Sequence, residues 1–205
     1  MITVIDYNAG NIKSVVNMFK KIGQSVNVTS QKKIIENAEK LVLPGVGSFD
    51  YGMQMLKKLD LIDVIKERVI TNKVPILGIC LGAQLLAEKS EEGILKGLNF
   101  IPMEIKKFSK TQVGPGNKIP HMGWNKVKLI NESELFVNMN AETRFYFVHS
   151  YYMHPYDDKD ISTITSFGSE FVSSVKKDNI YGVQFHPEKS HSYGMNLLES
   201  FAKNV

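Results

Sequence analysis

The first half of the chain alternates short apolar runs with longer amphipathic stretches, and this alternation restricts the fold more than any other feature. Apolar runs rich in β-branched residues predict strands at residues 2–6, 25–29, 41–43 and 75–79. Helical spacing of apolar side chains predicts helices at residues 11–22, 50–70 (with a break near Asp60) and 83–88. Strands that alternate with helices form a mostly parallel sheet with helices on both faces, so we expect an α/β fold.

The second half contains strand-like segments with little helix between them. These predicted strands are residues 100–108, 125–129, 144–149, 161–167, 170–176 and 180–186, and a final amphipathic helix covers 191–204. They predict an antiparallel β excursion attached to the parallel sheet. A chain of 205 residues is long enough for one sizeable core. We therefore expect a single domain that spans residues 1–205.

Composition excludes several classes of function. The net charge of +4 is mild and its lysines are dispersed, which does not indicate a nucleic-acid-binding face. No glycine-rich nucleotide motif occurs, and one cysteine with His149 and His154 at an unsuitable spacing gives no metal site. The N-terminal apolar run lacks a basic segment and is interrupted at Asp6, and no run approaches the length of a membrane span. We expect a cytoplasmic protein without disulfides.

The single cysteine lies in the pentapeptide Gly78-Ile79-Cys80-Leu81-Gly82. This is the spacing of a nucleophile elbow with cysteine in the place of serine, where a strand turns abruptly into a helix. Glycines two residues before and after the nucleophile relieve crowding at such a turn. Free cysteine is, however, usually a small buried apolar residue. The pentapeptide alone leaves these two interpretations about equal.

A histidine and a glutamate lie two residues apart at the end of another predicted strand. Residues two apart on an extended segment point to the same side, so Glu188 can orient the ring of His186. Pro187 cannot donate a ladder hydrogen bond, which places the segment at a strand end or edge. A surface His-Pro-Glu turn carries no chemistry in most proteins. Its combination with the cysteine elbow nevertheless favours a catalytic group.

Two glycines flank Val46 in the sequence Pro44-Gly45-Val46-Gly47-Ser48-Phe49. They allow a peptide bond to flip, so that its backbone N–H points into a cavity. Such a loop, together with the N–H of Leu81, could form an oxyanion hole. The spacing alone favours a glycine-rich turn without a catalytic role.

Together these segments resemble the class-I (triad) glutamine amidotransferases, and most closely the glutaminase subunits of imidazole glycerol phosphate synthase. The cysteine elbow and the His-Pro-Glu segment are general to the class, whereas Pro-Gly-Val-Gly and His-Met-Gly-Trp-Asn are more specific. The resemblance implies a class-I amidotransferase domain and an enzyme that hydrolyses glutamine to glutamate and ammonia without a cofactor. It extends over nearly the whole chain and is carried by residues 6–11, 43–49, 78–84, 120–125, 147–151 and 182–189.

The resemblance also implies roles for individual residues. Cys80 would be the nucleophile, His186 the general base and then acid, and Glu188 the residue that orients the imidazole. Ammonia would leave first, and water would then hydrolyse a γ-glutamyl thioester. The N–H groups of Val46 and Leu81 would face the oxyanion. The residues implied in glutamine binding are Gly47, Gln84, His149, Ser150 and Tyr151.

A heterodimer partner is implied as well: a (β/α)8-barrel cyclase that receives the ammonia in histidine biosynthesis, the complex acting as a lyase. A flip of loop 44–47 would gate the reaction. His121, Trp124 and Lys189 would lie on or near the docking face, although without the resemblance Trp124 is read as a core aromatic and Lys189 as a solvated charge. Asn8 departs from the family, whose members often carry glycine there. We expect its loop, residues 6–11, to lie away from the thiol chemistry.

Other assignments remain open at this stage. Residues 144–152 and 165–183, with the segment that follows, also resemble a branch that supplies ammonia to a sugar-amidating synthase in surface-glycan biosynthesis. A stand-alone γ-glutamyl hydrolase or cysteine peptidase would work without a partner, but the related peptidases place histidine directly after the cysteine, where this chain has Leu81. A non-catalytic binding module would normally lack a triad member, and all three are present.

Overall fold

The predicted alternation of strands and helices is present in the first half of the computed structural model, which describes residues 1–205. The strands are β1 (Ile2–Ile5), β2 (Val26–Thr29), β3 (Lys40–Gly45) and β4 (Ile76–Cys80). The helices are α1 (Ile12–Lys21), α2 (Lys32–Ile35), α3 (Phe49–Lys58), α4 (Ile62–Lys66) and α5 (Leu81–Gln84). A π-helical segment at Glu67–Thr71 continues α4.

The second half consists mainly of strands. They are β5 (Lys89–Ser90), β6 (Met103–Lys107), β7 (His121–Lys126), β8 (Lys128–Leu129), β9 (Arg144–His149), β10 (Tyr151–Pro155), β11 (Ile161–Phe167), β12 (Ser169–Lys177) and β13 (Ile180–Val183). Helix α6 (Lys110–Val113) is short, and α7 (His191–Asn204) is the longest helix of the chain. Short 3-10 segments cover Glu134–Phe136, Asp158–Asp160 and Pro187–Lys189.

Eleven of the strands form one mixed sheet whose path is β2-β1-β3-β4-β13-β12-β10-β6-β5, and β11 and β8 continue from β12. The five strands from β2 to β13 are parallel to one another, whereas the pairs β13–β12, β12–β10 and β10–β6 are antiparallel. Strands β7 and β9 form a separate antiparallel pair. The predicted α/β fold with an antiparallel excursion is therefore confirmed.

Apolar cores cover both faces of the sheet because side chains alternate along each strand. Leu41 and Leu43 of β3 point into one core, with α3 and α4, and Val42 points into the other, with α1 and α7. No helix is both long enough and apolar enough to cross a membrane.

Several predicted boundaries were wrong. The helix predicted at 83–88 ends at Gln84, because the carbonyls of Leu85 and Leu86 accept hydrogen bonds from Leu98 and Phe100 instead of from the next helical turn. The strand predicted at 180–186 ends at Val183. The predicted strands at 100–108 and 125–129 are likewise displaced, to β6 and to β7 with β8. The predicted break near Asp60 is confirmed, since this residue has a φ of 55° between α3 and α4.

Candidate active site

The cysteine of the predicted elbow lies at the junction of β4 and α5. Cys80 is the last residue of β4 and has a φ of 52° with a ψ of -111°, a backbone conformation that residues with a side chain rarely adopt. Its side chain is buried. Backbone strain of this kind concentrates at functional sites. The strand-to-helix turn therefore has the strained backbone of a nucleophile elbow.

Both glycines of the elbow are required by close backbone approaches. A Cβ at Gly82 would overlap the carbonyl oxygen of Leu43 in the neighbouring strand. A Cβ at Gly78 would lie 2.7 Å from the Cα of Ala83, closer than real Cβ atoms come to their neighbours. The turn can therefore form only if both positions lack side chains, as the spacing predicted.

The sheet brings His186 to the end of β4. Strand β13 lies parallel to β4, with Val183 opposite Ile79, and His186 follows three residues after β13 ends. The His186 N–H donates to the carbonyl of Tyr146 at 2.9 Å, and its own carbonyl accepts from Ser190 Oγ at 2.6 Å. Because the carboxyl ends of neighbouring parallel strands meet at one edge, His186 and Cys80 line the same cavity.

Glu188 reaches the ring of His186 by a different route from the one predicted. The segment is not extended, because Pro187–Lys189 forms a 3-10 turn. Glu188 Oε1 nevertheless lies 2.7 Å from His186 Nδ1, and both side chains are almost completely buried. A carboxylate can only accept a hydrogen bond, so Nδ1 carries the proton. The remaining ring nitrogen, Nε2, is left for other chemistry.

The ring of His186 is buried beside two groups that carry negative charge when ionised. Burial opposes protonation, but the Cys80 sulfur and the Glu188 carboxylate outweigh it and raise the pKa of His186 above its ordinary value. His186 Nε2 is buried and has no hydrogen-bond partner. This nitrogen is therefore the atom available to exchange a proton with a reacting group.

A cavity of about 320 Å³ opens above Cys80, a size suited to a small ligand. The structure brings every residue that was predicted for the oxyanion hole and for glutamine binding to the wall of this cavity. These residues are Val46, Gly47, Leu81, Gln84, His149, Ser150 and Tyr151, and Glu92, Pro120 and Val148 complete the lining. A larger groove of about 990 Å³ lies elsewhere on the surface, but its lining contains neither cysteine nor histidine.

The Val46 N–H does not point into the cavity in this structure. It donates to the carbonyl of Ala9 at 2.6 Å, so the predicted oxyanion donor is already occupied. The expectation that loop 6–11 lies away from the thiol chemistry is therefore wrong. The hydroxyl of Tyr7, in loop 6–11, is also close to the backbone of loop 44–47, since a Cβ at Gly45 would overlap it. Asn8 has a φ of 62°, which asparagine tolerates better than most residues that could replace glycine.

Two glutamines connect the cavity wall to the nucleophile. Gln84 Nε2 donates to the carbonyl of Tyr151 at 3.3 Å and to Gln184 Oε1 at 3.0 Å. Gln184 Nε2 in turn lies 3.7 Å from Cys80 Sγ. Sequence reasoning missed Gln184. The feature that indicates its position is the pairing register of β13 with β4, because extending that register by one residue places Gln184 opposite Cys80.

The three residues predicted for the docking face do not share one environment. His121, which the resemblance places on or near the docking face, is 4% exposed, and its ring pairs with that of His149 inside the fold. Trp124 is 43% exposed and its ring stacks on His191 with centroids 5.5 Å apart. Lys189 is exposed, with Nζ 5.7 Å from the ring centre of Tyr146. Trp124, Lys189 and His191, with the half-buried Tyr146, thus form one cluster at the surface, which we call the aromatic face.

Known proteins are similar to this chain over nearly its whole length. Residues 3–205 match the family model described as glutamine amidotransferase class-I. Imidazole glycerol phosphate synthase subunit HisH 2 of Methanococcus maripaludis is 53% identical over the full length of both chains, and the protein of that name from Pseudomonas aeruginosa is 47% identical over the full length of both.

Solved structures share the fold at low identity. PurLQS from Thermotoga maritima superposes with a TM-score of 0.73 at 19% identity, over 99% of this chain and 97% of that one. A glutamine amidotransferase from the same organism gives a TM-score of 0.63 at 17% identity, over 99% of this chain and 82% of that one. With a family match over nearly its whole length and full-length relatives at about half identity, the chain belongs to the class-I glutamine amidotransferases, in the branch that contains the HisH subunits.

Proposed function

We propose that this chain is the glutaminase subunit of an imidazole glycerol phosphate synthase and that residues 1–205 form one amidotransferase domain. The observation that carries this proposal is the buried group of Cys80, His186 and Glu188 beside a cavity of amino-acid size. The full-length relatives named as HisH subunits support the choice of synthase. A nucleophilic thiol must stay reduced, which supports a cytoplasmic location.

The proposed reaction has two covalent steps. His186 takes the proton of Cys80, and the sulfur attacks the carboxamide carbon of glutamine. The tetrahedral intermediate collapses, the C–N bond breaks, and His186 gives its proton to the leaving nitrogen, so ammonia departs and a γ-glutamyl thioester remains. Water, deprotonated by His186, then attacks the thioester carbon, the C–S bond breaks to release glutamate, and the proton on His186 returns to the Cys80 sulfur. Glu188 keeps His186 in the tautomer in which Nε2 faces these groups.

The oxyanion hole of this proposal requires a change in loop 44–47. The Leu81 N–H lies at the start of α5 beside the nucleophile, but the Val46 N–H is bound to Ala9. A flip of the peptide bond before Val46 would release this N–H, and the glycines on both sides of Val46 tolerate the required backbone change. The isolated chain would then be a poor glutaminase until something favours the turned peptide.

We propose that the partner, a (β/α)8-barrel cyclase subunit, docks on the aromatic face. Trp124 and Lys189 are exposed there, and aromatic residues are enriched at protein interfaces. The same face adjoins the catalytic group, because the Tyr146 carbonyl accepts the hydrogen bond of the His186 N–H. Docking would therefore act on backbone that is directly bonded to the proposed base.

The decisive experiment measures glutamate released from glutamine, with and without a barrel cyclase and its ribonucleotide ligand. We expect weak basal turnover that rises about 100-fold or more with the loaded partner, because the partner favours the flipped conformation of loop 44–47. Rapid turnover by the isolated chain would instead identify a stand-alone hydrolase. No stimulation by the barrel, with stimulation by a sugar-amidating synthase, would assign the ammonia to surface-glycan biosynthesis.

Replacing Glu188 by alanine is expected to impair turnover less than replacing His186, because Glu188 orients the ring and His186 moves the proton. We expect Glu188→Ala to retain about 10- to 100-fold more activity than His186→Ala. The measurement is kcat for glutamate release with the partner present. Glu199→Ala, on the exposed side of α7, is the control. Equal and complete loss in both variants would contradict this division of roles.

A further inference from the structure

Three polar side chains beneath the cavity wall are hydrogen-bonded in a row. Asn125 Nδ2 lies 3.2 Å from His121 Nε2, and His121 Nδ1 lies 3.0 Å from His149 Nε2. His149 Nδ1 lies 2.7 Å from the carbonyl oxygen of Tyr151. Both histidines are buried, and neither belongs to the proposed catalytic group. The row connects β7 to the residue that begins β10.

The direction of this row is fixed at both ends. The Tyr151 carbonyl can only accept, so His149 carries its proton on Nδ1 and accepts at Nε2. His121 must therefore donate from Nδ1 and accept at Nε2. At the other end, Asn125 Nδ2 also donates to the Ser166 carbonyl at 2.8 Å, and Asn125 Oδ1 accepts from the Lys126 N–H at 2.9 Å. One arrangement of protons satisfies every contact, and in each contact within the row the donor points toward Tyr151.

The surroundings keep both rings neutral and fixed in place. Burial lowers the pKa of His121 to about 4. Burial likewise dominates at His149 and lowers its pKa to about 3. The His121 ring stacks on Phe167 with centroids 4.3 Å apart and also contacts Phe147. Neutral rings in fixed planes are what a one-way row of hydrogen bonds requires, and such rows strengthen their own members.

The row ends at a point on which the proposed site depends. The Tyr151 carbonyl that accepts from His149 also accepts from Gln84, which is bonded through Gln184 toward Cys80. His149, Tyr151 and Gln84 all line the cavity. A shift of the Tyr151 carbonyl would therefore move the cavity wall and the Gln84 side chain, both of which would contact bound glutamine.

We propose that Asn125, His121 and His149 are positioning residues whose one-way hydrogen-bond row holds the Tyr151 carbonyl, and through it Gln84, in the geometry that binds glutamine. This inference rests on the proposed function for the identity of the ligand. It assigns His121 an internal role, whereas the resemblance implied only that this residue lies on or near the docking face. It also gives Asn125 a role that the sequence did not indicate.

The first test reads the protons themselves. Nitrogen-15 NMR of labelled histidine side chains in the intact chain should show two neutral rings that are protonated on Nδ1 alone, the tautomer that free histidine populates less. His121→Asn and His149→Asn each remove one of these signals and so assign them, apart from the ring of His186, whose Nδ1 also carries a proton. In Asn125→Asp the new carboxylate can only accept, so a proton should appear on His121 Nε2. Asn131→Asp, which removes an amide that donates to two carbonyls outside the row, should leave both rings unchanged. A proton on either Nε2 in the native chain overturns the proposal.

The second test measures binding without a partner, through alkylation of Cys80 by a chloroketone analogue of glutamine. Saturation kinetics separate the half-saturating concentration from the limiting rate. We expect His121→Leu to raise the half-saturating concentration about 10-fold or more, because His149 Nε2 loses its donor. His121→Asn, whose amide replaces the Nδ1 donor, should stay within about 3-fold of native. Alkylation by iodoacetamide should change little in either variant.

The outcomes separate this proposal from the proposed function. An unchanged half-saturating concentration in His121→Leu overturns the positioning role, and so does an equal rise in His121→Leu and His121→Asn. If His121→Leu does not fold, Asn125→Asp replaces it in the kinetic test with Asn131→Asp as its control, and equal constants for these two overturn the role. No saturation in the native chain, with both rings protonated on Nδ1, would instead contradict the glutamine site itself.

Discussion

Cys80→Ala is expected to abolish glutamine-dependent synthesis by the complex, lowering it by about 10⁴-fold or more, as removal of a catalytic nucleophile does. Without Sγ, no thioester can form, and the remaining groups can only polarise the bound carboxamide. Ammonia-dependent synthesis by the proposed barrel partner should remain, because added ammonia bypasses the glutaminase. Both rates are measured on the same purified complex, first with glutamine and then with an ammonium salt as the nitrogen source.

The ammonium rate is the control that separates chemistry from folding. Cys80 is a small buried residue, and loss of one sulfur should leave the elbow intact. If both rates disappear together, the substitution has disrupted the chain or its docking, and the nucleophile assignment loses its support. Retention of glutamine-dependent synthesis would contradict the assignment directly.

Gly82→Ala is expected to destabilise the fold by about 4 kcal/mol or more, although it adds only one methyl group. The new Cβ would overlap the carbonyl oxygen of Leu43, a backbone atom that cannot rotate away. Strand β3, which contains Leu43, is hydrogen-bonded to β1 on one side and to β4 on the other, so it cannot shift without breaking the sheet. The measurement is the free energy of unfolding in urea.

Gly52→Ala is the matched control. Its Cβ would meet only the tips of the Leu85 and Leu81 side chains, the nearest at 3.0 Å, and these tips can move. We expect this variant to fold with a loss of no more than about 1–2 kcal/mol. Failure of Gly82→Ala to yield folded protein, with Gly52→Ala soluble, agrees with the prediction. A free energy of unfolding for Gly82→Ala within about 1 kcal/mol of native would show that the elbow relaxes.

Elements with a clear period were predictable, whereas fully buried ones were not. The strand at Arg144–His149 is an apolar run with a polar residue at each end, and the helix at His191–Asn204 has apolar side chains at helical spacing; both were predicted with the observed boundaries. Residues 81–87 are buried on all sides, so no polar face marks where a helix would end. The predicted helix was therefore too long, because its last carbonyls pair with a segment that only the tertiary fold brings near.

The candidate site shows the same division. Cys80, His186 and Glu188 were predicted because their spacings are local. Gln184 was missed because its neighbour Cys80 is close only through the order of strands in the sheet. The buried contact between His121 and His149 was missed for the same reason, because the two rings meet only through the pairing of β7 with β9.

The central position of β13 has a consequence for how the enzyme loses its activity. The proposed base follows a strand that is hydrogen-bonded on both sides, to β4 and to β12, and strands of this kind open only when the whole molecule unfolds. Fraying at the margins of the sheet therefore leaves thiol and imidazole together. Under partly denaturing conditions we therefore expect two kinds of molecule: folded ones that keep Cys80 and His186 together, and unfolded ones without activity. Few molecules should hydrolyse glutamine from a half-open state and release the ammonia into solution.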